Sequence, residues 1–149
     1  MPDLEAMQRL GEAIAAALQV GDVIALSGGL GAGKTTLARA IVAALGHRGE
    51  VPSPSFAIVE IYDPPSLRLP VVHADFYRLE RAEEAAALGL DDYREGRALI
   101  AEWPENAGGF AEEPGCLSVR LEFVPETSGS GRIAIVEGGS NWLGRLPCQ

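Results

Sequence analysis

A glycine-rich segment at residues 28–35, Gly-Gly-Leu-Gly-Ala-Gly-Lys-Thr, constrains the fold of this chain more than any other feature of its sequence. It matches the pattern GxxxxGK[ST] and lies between a predicted strand at residues 23–27 and a predicted helix at residues 34–45. In that setting the glycines let successive backbone N–H groups point into one concavity, and the helix N-terminus adds partial positive charge. The sequence therefore predicts a phosphate-binding loop in an α/β fold.

The two polar residues that close this segment have separate predicted roles. Lys34 reaches the β- and γ-phosphates, and Thr35 offers its hydroxyl to Mg²⁺. Lys34 is the only lysine in the chain, because the other basic residues are all arginine. A phosphate loop needs a compact ammonium that a planar guanidinium does not replace. Guanine-specific GTPases generally carry an Asn-Lys-x-Asp sequence, which is absent here, so we expect ATP rather than GTP.

Hydrophobic periodicity predicts the remaining elements. Apolar residues at helical spacing predict an amphipathic helix over residues 4–18, and helix-forming residues fill 80–93 with a break at Gly89. Strands are predicted at residues 23–27, 56–62, 69–76, 98–103, 117–124 and 132–137. Turn residues between the second and third strands, and between the last two, predict antiparallel hairpins. We expect a P-loop NTPase-like three-layer α/β fold with a mixed sheet, formed by residues 1–149 as one ATPase domain.

Composition limits what the chain can bind. Its 149 residues, 47% hydrophobic and 22% charged, have the composition of a globular domain. Twelve basic and 21 acidic residues give a net charge of −9, which makes the chain a poor binder of nucleic acid on its own. No apolar run approaches the roughly 20 residues of a membrane span. The N-terminus is charged rather than signal-like, so we expect a cytoplasmic protein.

Two carboxylates follow hydrophobic strands, where the Mg²⁺ of a phosphate loop finds its acidic partner. Asp75 follows residues 69–74, and Glu102 follows residues 98–101. Either carboxylate could bind the metal directly or through water, while the other orients or deprotonates the attacking water. Two simpler interpretations remain open at this point. Asp75 could cap its strand or pair with Arg78, and Glu102 could be a surface carboxylate beside Trp103.

Other polar positions have weaker signals. His73 shares a strand face with Asp75, and we favour a hydrogen-bonded core histidine over a catalytic one. Ser53 and Ser55 lie in a proline-flanked loop where other P-loop proteins carry a switch that senses the γ-phosphate, although a capped turn is nearly as well supported. Arg132 could reach a nucleotide, but composition favours a surface position on a strand.

Four segments together resemble the TsaE (YjeE) family: residues 28–37, residues 53–62 beginning Ser-Pro-Ser-Phe, His-Ala-Asp-Phe-Tyr-Arg-Leu at 73–79, and Glu-Trp-Pro-Glu at 102–105. The last two are far more specific than the phosphate loop. The resemblance implies a bacterial ATPase needed to form N6-threonylcarbamoyladenosine at position 37 of tRNAs that read ANN codons. Such a protein acts on the TsaB–TsaD complex, whose TsaD subunit transfers the group, and contacts tRNA only through that complex. Its ATP hydrolysis is expected to be slow and dependent on its partners.

The resemblance also assigns roles by motif. The residues expected to bind ATP are Leu30, Gly31, Ala32, Gly33, Lys34, Thr35 and Thr36, with Arg132 near the nucleotide and Leu4 near the adenine as weaker members. Thr35, Glu102 and Asp75 are expected at Mg²⁺, and Lys34, Asp75 and Glu102 in hydrolysis. The switch residues are Ser53 and Ser55. Two positions depart from the family, which commonly has Asp at position 29 and Thr at position 55, whereas this chain has Gly29 and Ser55.

Two other functions fit a phosphate loop. A P-loop small-molecule or nucleoside kinase would transfer phosphate to an acceptor under an arginine-rich lid, but the arginines here are dispersed. A nucleotide-dependent interaction module would bind ATP while its hydrolysis stays incidental. Replacing Glu102 with glutamine separates this second possibility from an ATPase, because only the module would keep its cellular function.

Overall fold

A computed structural model describes residues 4–28, 33–46, 59–62, 69–77, 79, 81, 83–84, 89–110, 112–124, 131–142 and 145. The strands are β1 (Val23–Gly28), β2 (Val59–Tyr62), β3 (Val71–Asp75), β4 (Ala98–Glu102), β5 (Cys116–Val124) and β6 (Gly131–Gly138). They form one six-stranded sheet in the order β2-β3-β4-β1-β5-β6. The helices are α1 (Leu4–Ala17), α2 (Lys34–Ala44) and the short α3 (Leu90–Arg94), with 3-10 turns at Pro104–Ala107 and Ser140–Trp142.

The sheet is mixed, as the sequence predicts. Strands β3, β4, β1 and β5 run parallel to one another, while β2 is antiparallel to β3 and β6 is antiparallel to β5. Both predicted antiparallel pairs are therefore confirmed. Strand β3 is shorter than the predicted strand at residues 69–76. It begins after Pro70, because proline has no backbone N–H to donate. Residues 56–58 and the turn at 63–66 lie outside the described part of the chain.

Alternating side chains divide the core between the two faces of the sheet. On β1, Ile24 and Leu26 face the cluster formed with α1 and α2, whereas Val23 and Ala25 face a second cluster that includes Leu90 of α3. This period of two is what a strand buried on both sides requires. Helices on both faces of the sheet give the predicted three-layer α/β architecture of a P-loop fold.

Helices α1 and α2 pack closely against each other. A Cβ atom added at Gly11 of α1 would lie only 2.5 Å from the Cβ of Ala40 on α2. Glycine is therefore needed at position 11 for this approach, despite its low helix propensity. The contact fixes α2, and with it the first helical turn that contains Lys34 and Thr35.

The parallel topology brings the carboxyl ends of three strands to one edge of the sheet. Asp75 at the end of β3 is directly opposite Glu102 at the end of β4, and Glu102 is also paired with Leu26 near the end of β1. The glycine-rich segment follows β1 at this same edge. None of the helices in the described part of the chain has the length and apolar character that a membrane crossing needs.

The opposite edge of the sheet is held by the C-terminal segment. Trp142 is fully buried, and its indole N–H donates to the carbonyl of Gly115 at 2.8 Å. Arg145 donates to both carboxylate oxygens of Asp22 and to the carbonyl of Ala17. These contacts fasten Trp142 to the start of β5 and Arg145 to the start of β1.

Candidate nucleotide and magnesium site

Lys34 begins α2 beside the edge where the strands end. Its side chain is held by the end of β1, because Nζ donates to the carbonyl of Gly28 at 2.9 Å. The ammonium also lies 4.3 Å from the centroid of the Trp103 ring, and the residue is only 5% exposed. Burial lowers the pKa of Lys34, while the nearby carboxylates of Glu102 and Asp75 act in the opposite direction. A buried cation therefore stands at this edge, within the field of two acidic residues.

Thr35 is linked to a buried carboxylate. Its Oγ1 donates to Oε1 of Glu102 at 2.8 Å, which joins the first turn of α2 to the end of β4. Glu102 is 2% exposed, so the interpretation of it as a surface carboxylate is wrong. Burial follows from the sheet, because β4 is flanked by strands on both sides and Glu102 shares the α2 face with Ile100.

His73 contacts the second oxygen of the same carboxylate. Its Nε2 lies 2.6 Å from Oε2 of Glu102, and the residue is fully buried. His73 is therefore a hydrogen-bonded core histidine, which is the interpretation that the sequence favoured. Three residues from three elements, Thr35, Glu102 and His73, form one hydrogen-bonded chain.

Asp75 lies opposite Glu102 on the neighbouring strand β3, and its side chain caps the end of that strand. Its Oδ1 accepts a hydrogen bond from the backbone N–H of Tyr77 at 2.9 Å. Burial raises the pKa of Asp75, although this hydrogen bond opposes the shift. Asp75 thus forms the strand-end cap that the sequence allowed, and it also lies beside Glu102 on the neighbouring strand. Arg78, the other partner considered for Asp75, lies outside the described residues.

Aromatic side chains join the two strand ends. Trp103 follows Glu102 with a φ of 57°, a left-handed conformation that residues other than glycine rarely adopt. Its ring centroid is 4.9 Å from that of Tyr77, which follows β3. Asn106 donates to the carbonyls of Phe76 and Tyr77 and ties the same two loops together. No function was predicted for Trp103 or Asn106 from the sequence, although the Glu-Trp-Pro motif at the strand end was a signal for Trp103.

The residues at this edge fit Mg²⁺. Thr35 and Glu102 supply a hydroxyl and a carboxylate, which are the hard oxygen ligands that this ion prefers. Among the described residues, no group of three or more His, Cys, Asp or Glu side chains is arranged to hold a metal. A metal bound here would therefore take its remaining ligands from phosphates and water, as Mg²⁺ does in nucleotide sites.

A groove of about 410 Å³ runs between α1 and α2. Thr36 and Arg39 line it from α2, and Gln8 and Glu12 line it from α1. Leu4 begins α1 one turn before Gln8, although its side chain lies outside the described part. The groove thus connects the start of α2 with the helix predicted to lie near the adenine.

Some of the remaining predicted site residues lie within the described part of the chain, and others lie outside it. Arg132 pairs through its backbone with Phe123, and this register brings the start of β6 beside the end of β5, at the edge where β1 also ends. Gly33 precedes α2 with a φ of 110°, which a glycine accepts without strain. The residues outside the described ranges are Leu30, Gly31, Ala32, Ser53 and Ser55.

Comparisons of the sequence and of the fold with known proteins identify the same family. The family model for the threonylcarbamoyl adenosine biosynthesis protein TsaE matches residues 1–132. The TsaE protein of Streptomyces coelicolor is 38% identical over 141 residues, which is 91% of this chain and 93% of that protein. The TsaE protein of Haemophilus influenzae is 33% identical over 147 residues, covering 95% and 91%. The crystal structure of Bacillus subtilis YdiB superimposes with a TM-score of 0.72 at 26% identity, covering 97% of this chain and 87% of that one.

Proposed function

Since this chain belongs to the TsaE family of tRNA threonylcarbamoyladenosine biosynthesis, we propose that it is the magnesium-dependent ATPase of that process. In this proposal it acts on the TsaB–TsaD complex and does not itself transfer the threonylcarbamoyl group to adenosine 37 of tRNAs that read ANN codons. Contact with tRNA is indirect, in keeping with the net charge of −9.

The observation that carries the proposal is the 2.8 Å hydrogen bond between Thr35 and Glu102. It joins the hydroxyl of the phosphate-loop motif to a buried carboxylate from a strand 67 positions further along the chain. A glycine-rich turn without a ligand would not require a carboxylate to be buried at this point, because burying a charged group costs free energy. A P-loop site for Mg²⁺ and a nucleotide does require one.

In the proposed mechanism, residues 30–36 enclose the phosphates of ATP, and Lys34 exchanges the carbonyl of Gly28 for the β- and γ-phosphates. Thr35 and Glu102 would hold Mg²⁺, which when bound neutralises charge on the phosphate oxygens. Asp75 orients the attacking water and accepts its proton, and the raised pKa of this carboxyl makes it a better base. Because the site is partly buried, water competes less for the charged groups of Lys34, Glu102 and Asp75.

The positions of the surrounding residues suggest where the adenine of ATP would bind. The groove between α1 and α2 would take the adenine, with Leu4 at the start of α1 and Thr36 at the phosphate end. Arg132, at the start of β6, would lie near the nucleotide. The segment of Ser53 and Ser55 would act as a switch, so that ATP promotes docking to TsaB–TsaD and hydrolysis releases the complex.

The proposal is tested by measuring phosphate release with and without purified TsaB–TsaD, and affinity for that pair with ADP or a non-hydrolysable ATP analogue. We expect slow hydrolysis that requires Mg²⁺ and is stimulated by the pair, together with tighter docking in the ATP-like state. Glu102→Gln is expected to abolish hydrolysis, whereas Glu137→Gln, an exposed site on β6, serves as the matched control. Equal affinity with both nucleotides, or full hydrolysis by Glu102→Gln, would contradict it.

A further inference from the structure

His73 is a fully buried polar residue whose described hydrogen-bonding contact is to Glu102. When Glu102 is ionised its oxygens only accept hydrogen bonds, and Nε2 of His73 then carries the proton that points at Oε2. The other ring nitrogen, Nδ1, is buried and has no hydrogen-bond partner among the residues that the structure describes. An apolar side chain would fill this space without leaving a nitrogen unsatisfied, so packing alone does not account for a histidine here.

The contact with His73 makes the two oxygens of Glu102 inequivalent. Oε2 is engaged by His73 at 2.6 Å, while Oε1 faces the hydroxyl of Thr35 at 2.8 Å. Rotation of the carboxylate about its last bond would break both contacts at once. The imidazole, set in the central part of β3, therefore holds the plane of the Glu102 carboxylate so that one oxygen points toward α2 and the other toward His73.

We propose that His73 is a positioning residue that occupies one oxygen of the Glu102 carboxylate and holds the other, the one facing Thr35, toward the metal of the ATP site. The inference rests on the proposed function, because it requires Thr35 and Glu102 to bind Mg²⁺. This ion demands near-ideal octahedral geometry and gains little from a carboxylate that swings or binds through both oxygens. A hydrogen bond from a second residue to a metal ligand removes that freedom, and its loss typically weakens metal affinity.

The test uses two replacements of similar length. His73→Gln keeps an N–H donor at about the reach of Nε2, and His73→Met fills the same space without a donor. ATP affinity is measured by calorimetry for each protein, once with Mg²⁺ and once with EDTA. We expect wild type and His73→Gln to bind ATP more tightly with Mg²⁺, and His73→Met to lose about 10- to 100-fold of that gain. Affinity in EDTA should be the same for all three.

Each other outcome has a definite meaning. If His73→Met keeps the full gain from Mg²⁺, or loses affinity equally with Mg²⁺ and with EDTA, the positioning role is refuted. Failure of His73→Gln to restore the gain also refutes it. If wild type itself binds ATP equally well with Mg²⁺ and with EDTA, the proposed metal site fails, and that result comes from wild type rather than from a variant.

A measurement on wild type avoids any dependence on the folding of the variants. The chain contains only two histidines, so ¹⁵N NMR of the imidazoles can be assigned with a His47→Gln control. We expect a proton on Nε2 of His73 that exchanges slowly, both in the free protein and with Mg²⁺ and a non-hydrolysable ATP analogue. Loss of this proton, or its transfer to Nδ1, in the nucleotide-bound state would overturn the inference.

Discussion

Replacing Lys34 with methionine should separate ATP binding from the stability of the fold. Methionine keeps an unbranched side chain in the same space and removes the charge. The change removes a charge-assisted hydrogen bond to Gly28, worth about 1.5–3 kcal/mol, and the contact with the Trp103 ring, worth about 0.5–2 kcal/mol.

Burial of the ammonium works against these contacts, as the lowered pKa of Lys34 indicates. Methionine is free of that desolvation cost, so the two effects largely cancel in the nucleotide-free protein. We therefore expect the free energy of unfolding to fall by no more than about 2 kcal/mol. ATP affinity should respond much more strongly. Removing one partner of a buried charged contact costs about 2–5 kcal/mol, which corresponds to at least about a 30-fold rise in Kd.

Urea denaturation measures the first quantity and calorimetry with ATP measures the second. Lys34→Arg retains the charge but not its compact geometry, so it should also bind ATP weakly. Arg81→Met, at an exposed position, is the control for loss of a cation and should change neither quantity. Unchanged ATP affinity in Lys34→Met would refute the site, and a loss of stability above about 4 kcal/mol would show that Lys34 is chiefly structural.

Three further substitutions test the electrostatics of the fold. Burial raises the pKa of Asp75, so the charged carboxylate destabilises the nucleotide-free protein at pH 7. This destabilisation disappears as the pH falls through the raised pKa toward the ordinary value of 3.8. Asp75→Asn should therefore hydrolyse ATP poorly but be at least as stable as wild type at pH 7, and the difference in stability should narrow in acid. Lower stability of Asp75→Asn at pH 7 in urea denaturation would contradict this reasoning. Arg145→Ala leaves the buried Asp22 without its charged partner, although the backbone N–H of Gln19 still donates to it, and should cost about 3 kcal/mol in thermal unfolding. Arg120→Ala, which breaks the exposed pair with Glu122, should cost less than about 1 kcal/mol, and equal losses would refute the distinction.

Local patterns were sufficient to predict most elements of the fold. The phosphate-loop motif marked the junction of β1 and α2, and apolar runs ending in Asp75 and Glu102 marked the ends of β3 and β4. A phosphate loop needs acidic partners at the ends of neighbouring strands, so Asp75 and Glu102 were also expected at one site from the sequence. The fold class could be predicted because each of these signals lies within a few residues of the structure it specifies.

Contacts between distant positions could not be predicted in this way. His73 and Glu102 are 29 positions apart, and their hydrogen bond depends on the register of two parallel strands. Arg145 and Asp22 are 123 positions apart. The left-handed backbone of Trp103 also has no local signature, because it occurs at a residue type that rarely adopts it. These features depend on tertiary packing, which periodicity does not encode.

The central claim is tested most directly by the threonylcarbamoyladenosine content of tRNA, measured by nucleoside mass spectrometry in bacterial cells depleted of this protein. The modification should disappear on depletion and return with wild type, but not with Lys34→Ala or Glu102→Gln. Restoration by Glu102→Gln would mean that nucleotide binding suffices and that the protein is an interaction module rather than an ATPase. Modification that is unchanged by depletion would contradict the account and favour a P-loop kinase.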